Sequence, residues 1–77
     1  MQMNFVEAME RLKRAVTDDE IAAATGVSTN TIRRTRADRR TRNYRPAPQG
    51  WEAALAQLAR ERIHELQALA AQLQRID

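Results

Sequence analysis

Thr17–Arg34 reads TDDEIAAATGVSTNTIRR, and the order of its small, apolar and capping residues decides the fold. Two crossing helices need a small side chain at their closest approach, and Ala22 supplies it. Four residues on, Gly26 permits the left-handed backbone of a sharp turn. Val27 plugs that turn, while Ile21 before it and Ile32 after it point to a shared core. Thr17 and Glu20 have capping-box spacing, and Asp18 and Asp19 fall in the first turn, where the helix dipole favours anions. Ser28 is a good N-cap for the following helix. In that second helix, TNTIRRTRADRR, only Ile32 is large and apolar, so it packs through few side chains and presents the others to a partner. Thr35, and to a lesser degree Thr25, are polar where this pattern usually has apolar residues. Together these features predict a helix-turn-helix over about residues 18–39.

On the N-terminal side, Phe5, Met9, Leu12 and Val16 form one apolar stripe, predicting a helix from about Phe5 to Val16 with Asn4 and Glu7 at its cap. On the C-terminal side, RTRNYRPAPQG reads as a loop, with Pro48 suited to the first turn of a last helix. That helix is expected over about residues 49–76, roughly 40 Å long. Read as heptads, Leu55, Arg62, Leu69 and Ile76 take one seam position, and Ala59, Leu66 and Leu73 the other. Its first half is long enough to cover the other helices. Its second half has no obvious intramolecular partner, so a second copy of the chain is expected against Leu58, Ile63, Leu66, Leu69, Leu73 and Ile76, the alternative being a helix that bends back onto its own chain. Arg62, on the seam, tunes register or extends its head to solvent. The architecture expected is all-α: one four-helix helix-turn-helix domain over residues 1–77 with a long C-terminal dimerisation helix.

Composition agrees. A chain of 77 residues buries little apolar surface by itself and usually needs a staple. With no cysteine and one histidine, disulfides, thiolate metal sites and imidazole clusters are excluded, which leaves self-association. No metal or cofactor is expected. No stretch resembles a secretory signal or a membrane span, so a cytoplasmic protein of a bacterial host, associated with the nucleoid, is expected. The net charge of +3 hides a sharp asymmetry: residues 33–45 hold seven arginines and one aspartate, net +6, against −3 for the remainder. A cationic block flanked by helical patterns calls for a polyanionic partner, and arginine suits phosphates and guanine edges.

In a helix-turn-helix the start and one face of the second helix enter the major groove. Ser28, Thr29, Asn30, Arg33 and Arg34 are therefore the candidate base readers: the arginines for guanine O6 and N7, Asn30 for adenine. Arg36, Arg39, Arg40, Arg42 and Arg45 are candidate phosphate contacts, which set affinity and register. Tyr44 packs with Trp51 under the last helix or hydrogen-bonds a phosphate. The expected partner is double-stranded DNA bearing a pseudo-palindromic operator, held by a homodimer with its two readers about 34 Å apart.

From Thr17 to about Ala59 the chain resembles the small phage and mobile-element repressors called anti-CRISPR-associated (Aca) proteins. The resemblance lies in Ala22, Ala23, Gly26, Val27 and Ser28, in Arg33, and in Tyr44-Arg45-Pro46-Ala47-Pro48 leading into an Ala/Leu-rich helix. It implies a lambda-repressor-like fold and a dimeric autorepressor binding an inverted repeat in its own promoter, upstream of anti-CRISPR genes. The chain departs from that pattern in its acidic Asp18, Asp19 and Glu20, and in the tail from Arg60 onward.

Two alternatives stand beside this. RRTRADRRTRNYR is similar to the arginine-rich helices of antitermination peptides that order on an RNA hairpin. The last helix is also suited to capturing another protein through a heterodimeric coiled coil. No grouping of nucleophile, base and acid, no phosphate loop and no metal spacing is present, so an enzyme is not expected, nor a small-molecule ligand or a membrane.

Overall fold

The computed structural model describes residues 3–75. Four helices follow in order: α1 (Phe5–Leu12), α2 (Asp18–Thr25), α3 (Thr29–Arg34) and α4 (Trp51–Gln74). Among the described residues there is no strand.

The caps account for where the helices begin. Asn4 Oδ1 accepts the Glu7 amide at 2.8 Å at the head of α1. Thr17 and Glu20 close a reciprocal capping box at the head of α2. Ser28 Oγ accepts the Thr31 amide at 3.1 Å at the head of α3. Gly26, at φ 75°, ends α2 in the left-handed region, its amide bonding the Ala22 carbonyl at 2.9 Å.

Three helix bounds differ from expectation. α1 stops at Leu12, and the Ala15 and Val16 amides both turn back to the Leu12 carbonyl. Val16 stays buried, delivered by that turn. α3 stops at Arg34, well short of residue 39. The Thr35 hydroxyl donates to the Ile32 carbonyl at 2.6 Å. The Arg36 and Ala37 amides bond three residues back, to Arg33 and Arg34, tightening the last turn until it ends. α4 begins at Trp51, since Gly50 at φ 77° lies outside helical space, and Pro48 precedes the helix.

Phe5 and Met9 of α1, Val16, Ile21 and Ala22 of α2, Ile32 of α3 and Leu55 of α4 form one core. Trp51 leans on Phe5 with ring centroids 5.5 Å apart and planes tilted by 59°. Thr35, the polar exception in the motif, is buried with its hydroxyl bonded, and Thr25 is half-buried with its hydroxyl bonded to the Ile21 carbonyl at 2.8 Å. Neither leaves a polar group stranded.

Leu58, half-buried, packs against this core within the chain. Beyond it the helix runs free: Ile63, Leu66, Leu69 and Leu73 are each about half exposed. Ile76, assigned with them to a surface between two copies, lies outside the described residues. The molecule measures 55 × 27 × 18 Å, with a radius of gyration of 15.0 Å. A compact chain of this length would have about 11.5 Å. The excess is the projecting half of α4.

Candidate nucleic-acid interface

The five candidate base readers divide by what their side chains already do. Ser28 is spent locally: its hydroxyl caps α3 and lies 2.9 Å from the Thr31 hydroxyl. Thr29 donates to Asp19 at 2.7 Å, tying the start of α3 to the start of α2. Asn30 and Arg33 are exposed, and Arg34 is half-buried. Among the described residues the side chains of these last three make no ion pair or hydrogen bond. Their donors, and the acceptor of Asn30, are available to a ligand. All three are placed by Ile32, fully buried beside them, which fixes the rotation of α3 on the core.

The basic segment after α3 is not helical. It is a series of turns, Thr41 bonding back to Asp38 and Tyr44 to Thr41. The Arg45 amide bonds the Arg34 carbonyl at 3.2 Å, returning the loop to the end of α3. Asp38, the segment's one acid, takes the Arg40 amide at 2.9 Å and sits 3.6 Å from the Arg40 side chain. Arg45 folds its guanidinium onto the carbonyls of Arg42 and Tyr44. Arg39 and Arg42 are exposed, with side chains free of ion pairs among the described residues. Arg39 and Tyr44 also share the wall of a cleft of about 260 Å³ floored by Phe5 and Thr35.

Arg36 differs from its neighbours. Its guanidinium forks onto Asp18 at 3.0 and 3.1 Å, reaches Glu10 at 3.9 Å, and lies on the sulfur of Met9. A bidentate pair of this kind holds α1, α2 and the end of α3 together. Its geometry gives Arg36 a structural task that the sequence did not show. The acids Asp18 and Asp19, which read in the sequence as dipole partners, thus bind Arg36 and Thr29. Separations of eighteen and ten residues carry no local signal from which such pairs could be read.

The other missed pair is Arg62 with Glu20. Arg62 bonds Glu20 of α2 and approaches Glu65 at 3.4 Å. This pair ties α4 to the start of α2 and leaves the Arg62 side chain about a quarter exposed. The Glu20 carboxyl is held below its ordinary value by the Thr17 amide first, with the Arg62 charge adding to it, against partial desolvation.

Among the described residues no group of three His, Cys, Asp or Glu side chains is arranged to hold a metal ion. None of the helices is long and apolar enough to cross a membrane. Comparison with protein-family models, with curated proteins and with solved structures finds no match to this chain.

Proposed function

We propose that the chain is a sequence-specific, double-stranded-DNA-binding transcriptional regulator that works as a homodimer. The observation that carries this is the state of α3. It is anchored by one buried isoleucine and held at its start by Ser28 and Thr29. It presents Asn30, Arg33 and Arg34 with unspent hydrogen-bonding groups, beside a segment of net charge +6. The buried Ala22, the left-handed Gly26 and the half-buried Val27 support reading α2 and α3 as a helix-turn-helix with α3 in the major groove. Arg39 and Arg42, with Arg40, Arg45 and Tyr44 beside them, are the phosphate contacts. The exposed stripe of α4 is the surface for the second copy.

With the resemblance to anti-CRISPR-associated repressors, the proposal narrows to an autorepressor of a phage or mobile-element operon, acting in the cytoplasm of a bacterial host. The Gly26 turn and the buried Ile32 weigh against the RNA alternative, since a peptide that orders on a hairpin needs no helix-turn-helix scaffold.

The test is the Arg33→Ala/Arg34→Ala double variant on the DNA upstream of the gene. Each bidentate base contact is worth about 1–3 kcal/mol of discrimination, so selectivity over scrambled duplex should collapse. Tight, selective binding by the double variant would remove α3 as the reader.

A further inference from the structure

Between α1 and α4 lies an open apolar groove of about 450 Å³, walled by Ala8 and Leu12 on one side and by Trp51, Leu55, Ala56 and Ala59 on the other. Toward its distal end the wall on α4 is small, formed by Ala56 and Ala59. At 100° per residue, Ala56, Ala59, Ile63, Leu66, Ala70 and Leu73 share one face of α4. The groove and the exposed stripe are thus one continuous surface, hollow near the head and knobbed toward the tail. Arg62 lies to the side of this face and is occupied by Glu20, so the available seam is displaced from the heptad line through Leu55, Arg62 and Leu69.

We infer that the groove is filled by the distal half of α4 from a second copy, packed antiparallel about a two-fold axis between residues 64 and 65. This rests on the dimeric reading above and adds its geometry. The axis sets Leu73 against the partner's Ala56, Ala70 against the partner's Ala59, and Leu66 against the partner's Ile63. At the groove Leu73 fills the space beside Ala56, and Ala70 on Ala59 lets the two helices approach closely. A parallel pair would set every level against itself, alanine on alanine near the head and leucine on leucine at the tail. Four aliphatic side chains alone fall short of the ~800 Å² per partner that a stable interface buries. The groove, used twice, adds Trp51, Leu12 and the alanines. The same axis separates the two Leu55 anchors by about 28 Å along α4, close to the ~34 Å between successive major grooves. A parallel pair would put both heads at one end.

The chain has no cysteine, so introduced thiols report cleanly. Leu73→Cys and Ala56→Cys proteins are oxidised separately and as a mixture, and cross-linked dimer is read on a non-reducing gel. Cross-linking confined to the mixture is expected. Efficient cross-linking of Leu73→Cys with itself would overturn the antiparallel packing while leaving a dimer in place. A wild-type chain that sediments as a single copy would overturn the dimer as well. Ala56→Glu gives a second reading, because Ala56 is exposed in the single chain and the fold does not need it. Unchanged helical circular dichroism with the mass halved is expected, and retention of the two-chain mass overturns the groove as the seat. DNA selectivity of Arg33→Ala/Arg34→Ala is measured apart from these, so failure of this packing and failure of the DNA reading are distinct results.

Discussion

The two halves of α4 carry the same spacing of aliphatic residues and meet opposite surroundings. Trp51–Arg62 lies on the rest of the chain: Leu55 is buried, Leu58 packs on the core, Trp51 touches Phe5 and Arg62 bonds Glu20. Along Ile63–Gln74 no residue is buried among the described residues, and the four large aliphatic side chains stay about half exposed. An apolar stripe therefore announces that a helix has a partner, without saying whether the partner is its own chain. The 1.5 Å rise decides that, because the head is spent after about three turns.

The largest effect should come from truncating inside the head. Ile32→Ala removes a side chain with no solvent exposure and should cost about 2–5 kcal/mol, a large share of the stability of so small a domain. Leu73→Ala removes a similar side chain from the free half. It should leave the head's stability unchanged and lower only the dimer's, so chemical denaturation at low and high concentration separates the two. If Leu73→Ala lost as much at every concentration, the halves of α4 would not differ as described.

Next in size is Gly26→Ala. The glycine sits at φ 75° with no atom within 4 Å of a new Cβ, so the cost is backbone strain alone, about 1–2 kcal/mol. Thermal melting checks it, and a neutral result would mean the turn between α2 and α3 is not held in that conformation.

A smaller contrast distinguishes two arginines of the basic segment. Arg42→Ala should leave the melting temperature alone and reduce the salt slope of DNA binding by about 1 per site removed. Arg36→Ala should lower the melting temperature by releasing Asp18 and Glu10, with little change in salt slope. A salt slope that fell in both equally would return Arg36 to the phosphate contacts.

The smallest effect is at Glu20, which ties α2 to Arg62 at the end of the packed half of α4. Its carboxyl titrates below the ordinary value of 4.5. Its contribution is therefore fully present above that pH and is lost as acid takes the group through its lowered value. Glu20→Gln should flatten this part of the acid melting profile, and a profile identical to wild type would deny the linkage.

Much of the head was legible because it rests on local chemistry. Caps at Asn4, Thr17 and Ser28, the left-handed Gly26 and the buried Ile21, Ala22 and Ile32 each follow from residues within a few positions. The end of α3 was not legible, because it depends on whether the Thr35 hydroxyl turns onto a carbonyl or outward. Nor was the task of Arg36, since an arginine among arginines shows its pairing only once α1 and α2 bring Glu10 and Asp18 beside it. Among the described residues the side chains of Asn30, Arg33 and Arg34 stay free, whereas Ser28 and Thr29 are drawn into capping and cross-helix bonds that residue type alone does not distinguish from base contacts.

Fluorescence anisotropy on duplex DNA from just upstream of the gene, at two salt concentrations and with scrambled duplex and an RNA hairpin as competitors, tests whether α3 reads sequence. Tight binding that survives scrambled duplex and prefers DNA to the hairpin is the expected result. Equal binding to all three polyanions, vanishing at the higher salt, would contradict it and leave residues 33–45 as a basic patch without a code.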